Sequence, residues 1–216
     1  MQLEEAMAMI GPGATVSFGG GSTVAALAER LDREDPGLKE TLAVTTPSMD
    51  TLKVLERLHY RVVPLDDVAG IDVAFDGCDF VTKGLAAQKC KGGIHVDEMK
   101  AARKAFRYVL LTKPERVGAE YNAELPVCAE VVPQEVADFS RKAGECGFAV
   151  EKRIGVETSR GNFLFDLVND GCTAELAREV EDWPGVAGTS YFHDVCTDVI
   201  YEVDGRTIHL RREDAR

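Results

Sequence analysis

Ile71-Asp72-Val73-Ala74-Phe75-Asp76-Gly77-Cys78-Asp79 reads as a buried strand that runs straight into two carboxylates around a glycine. A short apolar run bounded by turn residues suits a strand covered on both faces, as strands of parallel sheets are. Upstream, residues 14–18 read as a strand after the Pro12-Gly13 turn. Gly19-Gly20-Gly21 follows, and Ser22 is expected to cap a helix reaching about Leu31. Residues 41–44 read as a second strand, 48–59 as a second helix and 60–63 as a short strand. Downstream of Asp79, residues 96–106 have a helical pattern and 108–112 form another apolar strand. Strand and helix alternate, which predicts an α/β fold: a Rossmann-like open, mostly parallel sheet flanked by helices.

Beyond about Leu125 the pattern changes. Strands are expected at 126–132, 148–152 and 162–167, helices at 134–144 and 174–180, and a further strand after Pro184-Gly185. This predicts a smaller α+β, ferredoxin-like lobe with an antiparallel sheet over residues 125–195. The larger domain then comprises residues 1–124 plus 196–216. It closes on a hairpin of residues 199–203 and 207–210 around Asp204-Gly205.

The net charge of −12 argues against general nucleic-acid binding, which needs a basic field. No apolar run approaches the roughly 20 residues of a membrane span, and the N-terminus lacks the basic start and apolar stretch of a signal peptide, so a cytoplasmic protein is expected. Lys83, Lys89 and Lys91 concentrate positive charge beside the Asp76–Asp79 motif, which keeps a small anionic substrate compatible with the acidic whole. The six cysteines are scattered without a C-x-x-C pair, and the four histidines are dispersed too. Reduced thiols are the simpler reading, and neither a metal nor another cofactor is expected.

Ligands of open α/β sheets bind beyond the carboxyl ends of the strands. Three candidate segments lie at such ends. In Gly19-Gly20-Gly21-Ser22-Thr23 the glycines let the backbone approach an anion, and the following helix offers unpaired N–H groups. Val24 replaces the third glycine of a dinucleotide fingerprint, and the second strand ends in Thr45-Thr46-Pro47-Ser48 without the acidic residue that holds a ribose diol. Hydroxyls there suit phosphate oxygens better. The third segment is Asp76-Gly77-Cys78-Asp79, which a plain Asx turn also explains.

Glu98 shifts that balance. Ala101, Ala102 and Ala105 stand at i+3, i+4 and i+7, which puts this carboxylate on the small apolar face of its helix, while Asp97, Lys100 and Lys104 share a polar side. A carboxylate facing inward suits a general base or acid. One of Lys89 and Lys91 is expected to neutralise a developing alkoxide or enediolate. Both Lys89 and Lys91 also fit the usual fate of lysine as surface charge, and His95 reads as a polar surface residue.

These residues resemble the type A ribose-5-phosphate isomerases over nearly the whole chain. The family's G-T-G-S-T loop is matched by Gly19-Gly20-Gly21-Ser22-Thr23. Its D-G-A-D-E strand end is matched by Asp76-Gly77-Cys78-Asp79-Phe80, and its K-G-G-G…E-K segment by Lys89-Cys90-Lys91-Gly92-Gly93…Glu98. Ala129-Glu130-Val131-Val132-Pro133, Gly161-Asn162-Phe163-Leu164-Phe165-Asp166 and Pro184-Gly185-Val186 continue the likeness. The resemblance implies metal-free interconversion of ribose 5-phosphate and ribulose 5-phosphate through an enediol. Glu98 would move the proton, with Asp76, Asp79 and Lys89 as its catalytic partners. Gly20, Gly21, Ser22, Thr23, Thr45, Thr46, Ser48, Lys91, Gly92, Gly93 and Arg116 would bind the phosphosugar. A homodimer or homotetramer is also implied. The chain departs from the pattern at Gly20, Phe80, Cys90 and Lys91, where side chains are lost or inserted, and at Arg116, where the family has lysine. A non-catalytic sugar-phosphate sensor, or an isomerase of another phosphosugar, is the alternative reading.

Overall fold

A computed structural model describes residues 2–212; Met1 and residues 213–216, the tail of the expected larger domain, lie outside it. The chain opens with α1 (Gln2–Met7), β1 (Thr15–Phe18), α2 (Ser22–Glu34), α3 (Pro36–Lys39), β2 (Ala43–Thr45), α4 (Met49–Arg57) and β3 (Ile71–Asp76). Next come β4 (Phe80–Thr82), β5 (Ala87–Gln88), α5 (His95–Lys104), β6 (Ala105–Leu111) and β7 (Val117–Gly118). Then follow β8 (Val127–Val131), α6 (Val136–Glu145), β9 (Ala149–Glu157), β10 (Phe163–Val168), α7 (Ala174–Glu179) and β11 (Val186–Thr189). The chain ends with β12 (Tyr191–Phe192), β13 (Asp198–Val203) and β14 (Arg206–Arg211). Two compact units result: Met1–Cys78, Asp97–Val117 and Asp194–Arg216 form one, Asp79–Val96 and Gly118–His193 the other.

The first unit holds a six-stranded sheet in the order β14-β13-β6-β3-β1-β2. All its pairings are parallel except β13 with β14. Val16, Phe18, Val73, Phe75, Val109 and Leu111 alternate along three neighbouring strands and share one apolar cluster with Leu27 and Leu31 of α2 and Leu55 of α4. The intervening Ser17, Ala74, Tyr108 and Leu110 are buried as well. Both faces of the sheet are therefore dry, which is why the strands read as continuous apolar runs. The hairpin turn at Asp204-Gly205 has φ of 47° and 75°, the left-handed pair that a two-residue connection needs.

The second unit runs β8-α6-β9-β10-α7-β11, with its antiparallel sheet in the order β11-β8-β10-β9. That connectivity is ferredoxin-like. Phe139 and Ala143 of α6 and Ala177 of α7 bury against Val131, Phe165 and Leu167 of the sheet. The short strands β4, β5 and β12 pair antiparallel beside it in the same unit. Among the described residues no helix is long and apolar enough to cross a membrane.

Three local expectations are corrected. The short strand expected at 60–63 is only an isolated parallel bridge of Val62 with Val44. Ser22 is the first residue of α2 and not its cap; Gly21 takes the cap position at φ 102°, a backbone only glycine adopts without strain. The helix expected at 96–106 ends at Lys104, and β6 begins at once, because Ala105 already pairs with Ile71 in the parallel ladder. The six cysteines are free thiols, all buried except the partly exposed Cys146.

Candidate active site

In the first unit the carboxyl ends of β2, β1 and β3 lie side by side, with Ser17 opposite Thr45 and Phe18 opposite Phe75. The Gly19–Gly21 loop is fixed between them. Gly19 donates its N–H to the Phe75 carbonyl at 2.7 Å, and its own carbonyl accepts from Thr51 Oγ1 at 2.7 Å. A Cβ on Gly19 would stand 2.3 Å from Asp76 Cγ, so the carboxylate packs directly on bare backbone. Beyond the loop, the first turn of α2 presents N–H groups that no helical carbonyl can satisfy, a natural anion cradle.

The hydroxyls of the second segment have distinct fates. Ser48 caps α4 by accepting from Thr51 N at 3.3 Å, and Thr46 Oγ1 accepts from Ser48 N at 3.0 Å. Thr45 Oγ1, fully buried, has no hydrogen-bond partner among the described residues. Buried hydroxyls are normally satisfied, so this oxygen suits a bound ligand or water. Arg116 donates Nη1–H to the Cys78 carbonyl at 2.8 Å, which ties its guanidinium to the chain just past Asp76.

Asp76 is 2% exposed and receives a donor on each oxygen: Gly77 N on Oδ1 at 2.7 Å and the Tyr108 hydroxyl on Oδ2 at 2.8 Å. Glu98 is 5% exposed, as its alanine-lined helical face led one to expect. Burial drives the Tyr108 phenol well above its ordinary pKa, and the charges of Asp76 and Glu98 push it the same way. Asp76 and the Tyr108 phenol thus share one buried spot at the carboxyl end of β3, and the Glu98 charge acts on that phenol. Tyr108 was not legible as a site residue: it lies 32 residues from Asp76, and only the parallel register, Ala74 opposite Tyr108, joins them.

Asp79, Lys89 and Lys91 belong to the second unit. Asp79 Oδ2 accepts from the Lys91 backbone N–H at 2.9 Å, and its Oδ1 lies 3.6 Å from the exposed Lys91 ammonium. Lys89 is buried, not a surface charge; its ammonium lies 5.8 Å from the Phe192 ring centroid and its N–H donates to the Ser190 carbonyl. Cys90 points inward to Ser190, and burial lifts its thiol to about 12, so it does not crowd the outer side of the loop. Gly92 and Gly93 take φ of 80° and 69°, and a Cβ on Gly93 would meet Leu164 Cδ1 at 2.3 Å.

Arg153, absent from the sequence reading, holds this loop. It donates to the Cys90 carbonyl and grips Asp166 with two bonds of 2.9 and 2.7 Å. Glu130 and Asn162, from two of the motifs quoted above, meet at 2.8 Å, with Arg160 bidentate on Glu130 at 2.8 and 2.9 Å. Those motifs brace the second unit's core.

The expectation of a surface His95 is overturned. Its ring is fully buried, with Nε2 3.2 Å from the Gly188 carbonyl of β11. Burial lowers its pKa from 6.5 to about 4 against the opposing pull of that carbonyl. Between those pH values the unfolded chain takes up a proton that the native chain refuses. Stability from this group is complete above about pH 6.5 and falls away towards pH 4, by up to roughly 3 kcal/mol. Urea midpoints measured from pH 7 to pH 4 are therefore expected to fall more steeply for the native sequence than for His95→Gln. Parallel curves would refute this.

The profile of the family described as "Ribose 5-phosphate isomerase A (phosphoriboisomerase A)" matches residues 43–205. The ribose-5-phosphate isomerase A of Lactobacillus acidophilus is 30% identical over 215 residues, covering 95% of this chain and 92% of that protein. The solved ribose 5-phosphate isomerase A of Methanocaldococcus jannaschii superposes with a TM-score of 0.87 at 24% identity, over 97% of this chain and 96% of that one. A D-ribose-5-phosphate isomerase solved in complex with phospho-erythronic acid gives a TM-score of 0.87 at 26% identity, over 98% and 96% of the two chains.

Proposed function

We propose that this chain, which belongs to the ribose 5-phosphate isomerase A family, interconverts ribose 5-phosphate and ribulose 5-phosphate by proton transfer through an enediolate. The observation that carries the reading is the buried Glu98, sharing with Asp76 the electrostatic surroundings of Tyr108 in the unit that carries the glycine loop. Glu98 takes the proton from C2 of the open-chain aldose. The C–H electron pair forms the C1=C2 bond, and the carbonyl oxygen on C1 takes the charge and then a proton. Returning the carbon-bound proton to C1, with loss of the proton on the C2 oxygen, completes the ketose. The Lys89 ammonium offsets the oxyanion charge, while Asp76 and Asp79 carry the hydroxyl protons and assist ring opening. Every step moves a proton, so none needs an electron carrier.

The Gly20-Gly21-Ser22-Thr23 turn, with Thr45, Thr46, Ser48 and Arg116, is assigned to the phosphosugar, as are Lys91, Gly92 and Gly93. The protein is proposed to work in the cytoplasm as a homodimer or homotetramer. Purified protein is expected to convert ribose 5-phosphate to ribulose 5-phosphate in the presence of chelator. In D2O, recovered ribose 5-phosphate gains deuterium at C2. Turnover without that exchange would indicate a hydride shift, and saturable binding without turnover would favour a sensor. Phospho-erythronic acid, whose planar carboxylate imitates the enediolate, is expected to inhibit competitively.

A further inference from the structure

We infer that Tyr108 is a positioning residue for this reaction: its hydroxyl aims the Asp76 carboxylate. The inference rests on the isomerase reading. The ring is anchored at its base, since Tyr108 N–H donates to Thr197 Oγ1 at 3.0 Å and its carbonyl accepts from Thr197 N at 3.0 Å. On β6 it stands opposite Ala74, two residues before Asp76 on β3, so both side chains leave the same face of the sheet. The phenol then reaches Asp76 Oδ2 at 2.8 Å, while Gly77 N holds Oδ1 and the bare backbone of Gly19 packs against Cγ. These three contacts leave the carboxylate a single orientation.

A phenylalanine would fill this volume without a polar atom to bury, and a buried hydroxyl destabilises unless it is satisfied. The hydroxyl has a chemical effect as well. Its O–H donates to the Asp76 carboxylate and disperses charge that would otherwise sit bare in a dry site. The phenol, 1% exposed, acts through Asp76 and not on the substrate.

The test is Tyr108→Phe beside Tyr60→Phe. Tyr60 is a second buried tyrosine of the same unit, whose hydroxyl donates to the Ala28 carbonyl at 2.7 Å within the apolar cluster. For Tyr108→Phe, kcat for ribose 5-phosphate is expected to fall about tenfold, as loss of a hydrogen bond to a charged group predicts, with KM within about twofold. Tyr60→Phe is expected to lose a similar amount of thermal stability while kcat stays at the native value. Undiminished kcat in Tyr108→Phe, or losses that track the unfolded fraction equally in both variants, would overturn the role assigned to Tyr108. A native protein without turnover overturns the isomerase reading itself, and the inference with it.

Discussion

Glu98→Gln is expected to lower kcat by about three orders of magnitude while leaving KM and thermal stability nearly unchanged. General-base catalysis by one positioned side chain contributes on the order of 10²–10⁴-fold, and glutamine removes the base without changing the volume. Volume matters here because Glu98 is 5% exposed and its helical neighbours Ala101 and Ala102 are buried beside it. A truncation to alanine would mix a cavity with the lost chemistry, whereas the amide isolates the chemistry. Substrate affinity should survive, since the amide keeps the size and polarity of the carboxylate and leaves the anion cradle at Gly19–Gly21 and the α2 N-terminus untouched. Isotope exchange is the sharper measurement: deuterium entry at C2 of ribose 5-phosphate is expected to stop in step with turnover. A variant retaining a tenth of native activity would show that another group moves the proton, and the assignment of Glu98 would be withdrawn.

How much of this was legible before any coordinates depended on the range of the interaction. The inward face of Glu98 was readable because i+3 and i+4 alanines fix it within one helix. The strand 71–76 was readable because a parallel strand buried on both faces leaves an unbroken apolar run. The end of α5 was not, because Ala105 satisfies helical periodicity as well as it satisfies the ladder; only pairing with Ile71 decides it. Tyr108 escaped for the same reason, since its importance lies in a register between strands far apart in sequence. Arg153 escaped because its partners, Asp166 and the Cys90 carbonyl, are distant in sequence, and His95 because its burial cannot be inferred from neighbouring residues. His95 sits among Asp97, Glu98 and Lys100, a polar context that says surface, yet its ring is enclosed. The glycine loop was recognised from its composition, but the reason for Gly19 in particular is steric and three-dimensional.

That steric reason makes Gly19→Ala the second large effect. Its Cβ would lie 2.3, 2.4 and 2.8 Å from Asp76 Cγ, Oδ1 and Oδ2, distances no pair of such atoms tolerates. The loop backbone cannot yield easily, since Gly19 N–H is bonded to Phe75 and its carbonyl to Thr51. The carboxylate must therefore move by about an ångström, which breaks its bond with Tyr108 or with Gly77 N. Misplacement of that size costs about 100-fold in rate, and overpacking a buried site costs roughly 1–3 kcal/mol of stability. Both losses are expected in Gly19→Ala, read as kcat for ribose 5-phosphate and as the urea midpoint. The double variant Gly19→Ala with Asp76→Ala separates them, because alanine at 76 deletes all three crowded atoms. Stability lost to Gly19→Ala should be largely absent in the Asp76→Ala background, a coupling that a double-mutant cycle measures directly. Activity should not return, since the carboxylate is gone. If Gly19→Ala instead folds and turns over like the native protein, Asp76 is free to stand elsewhere, and its assigned place in proton transfer, together with that of Tyr108 behind it, loses its geometric basis.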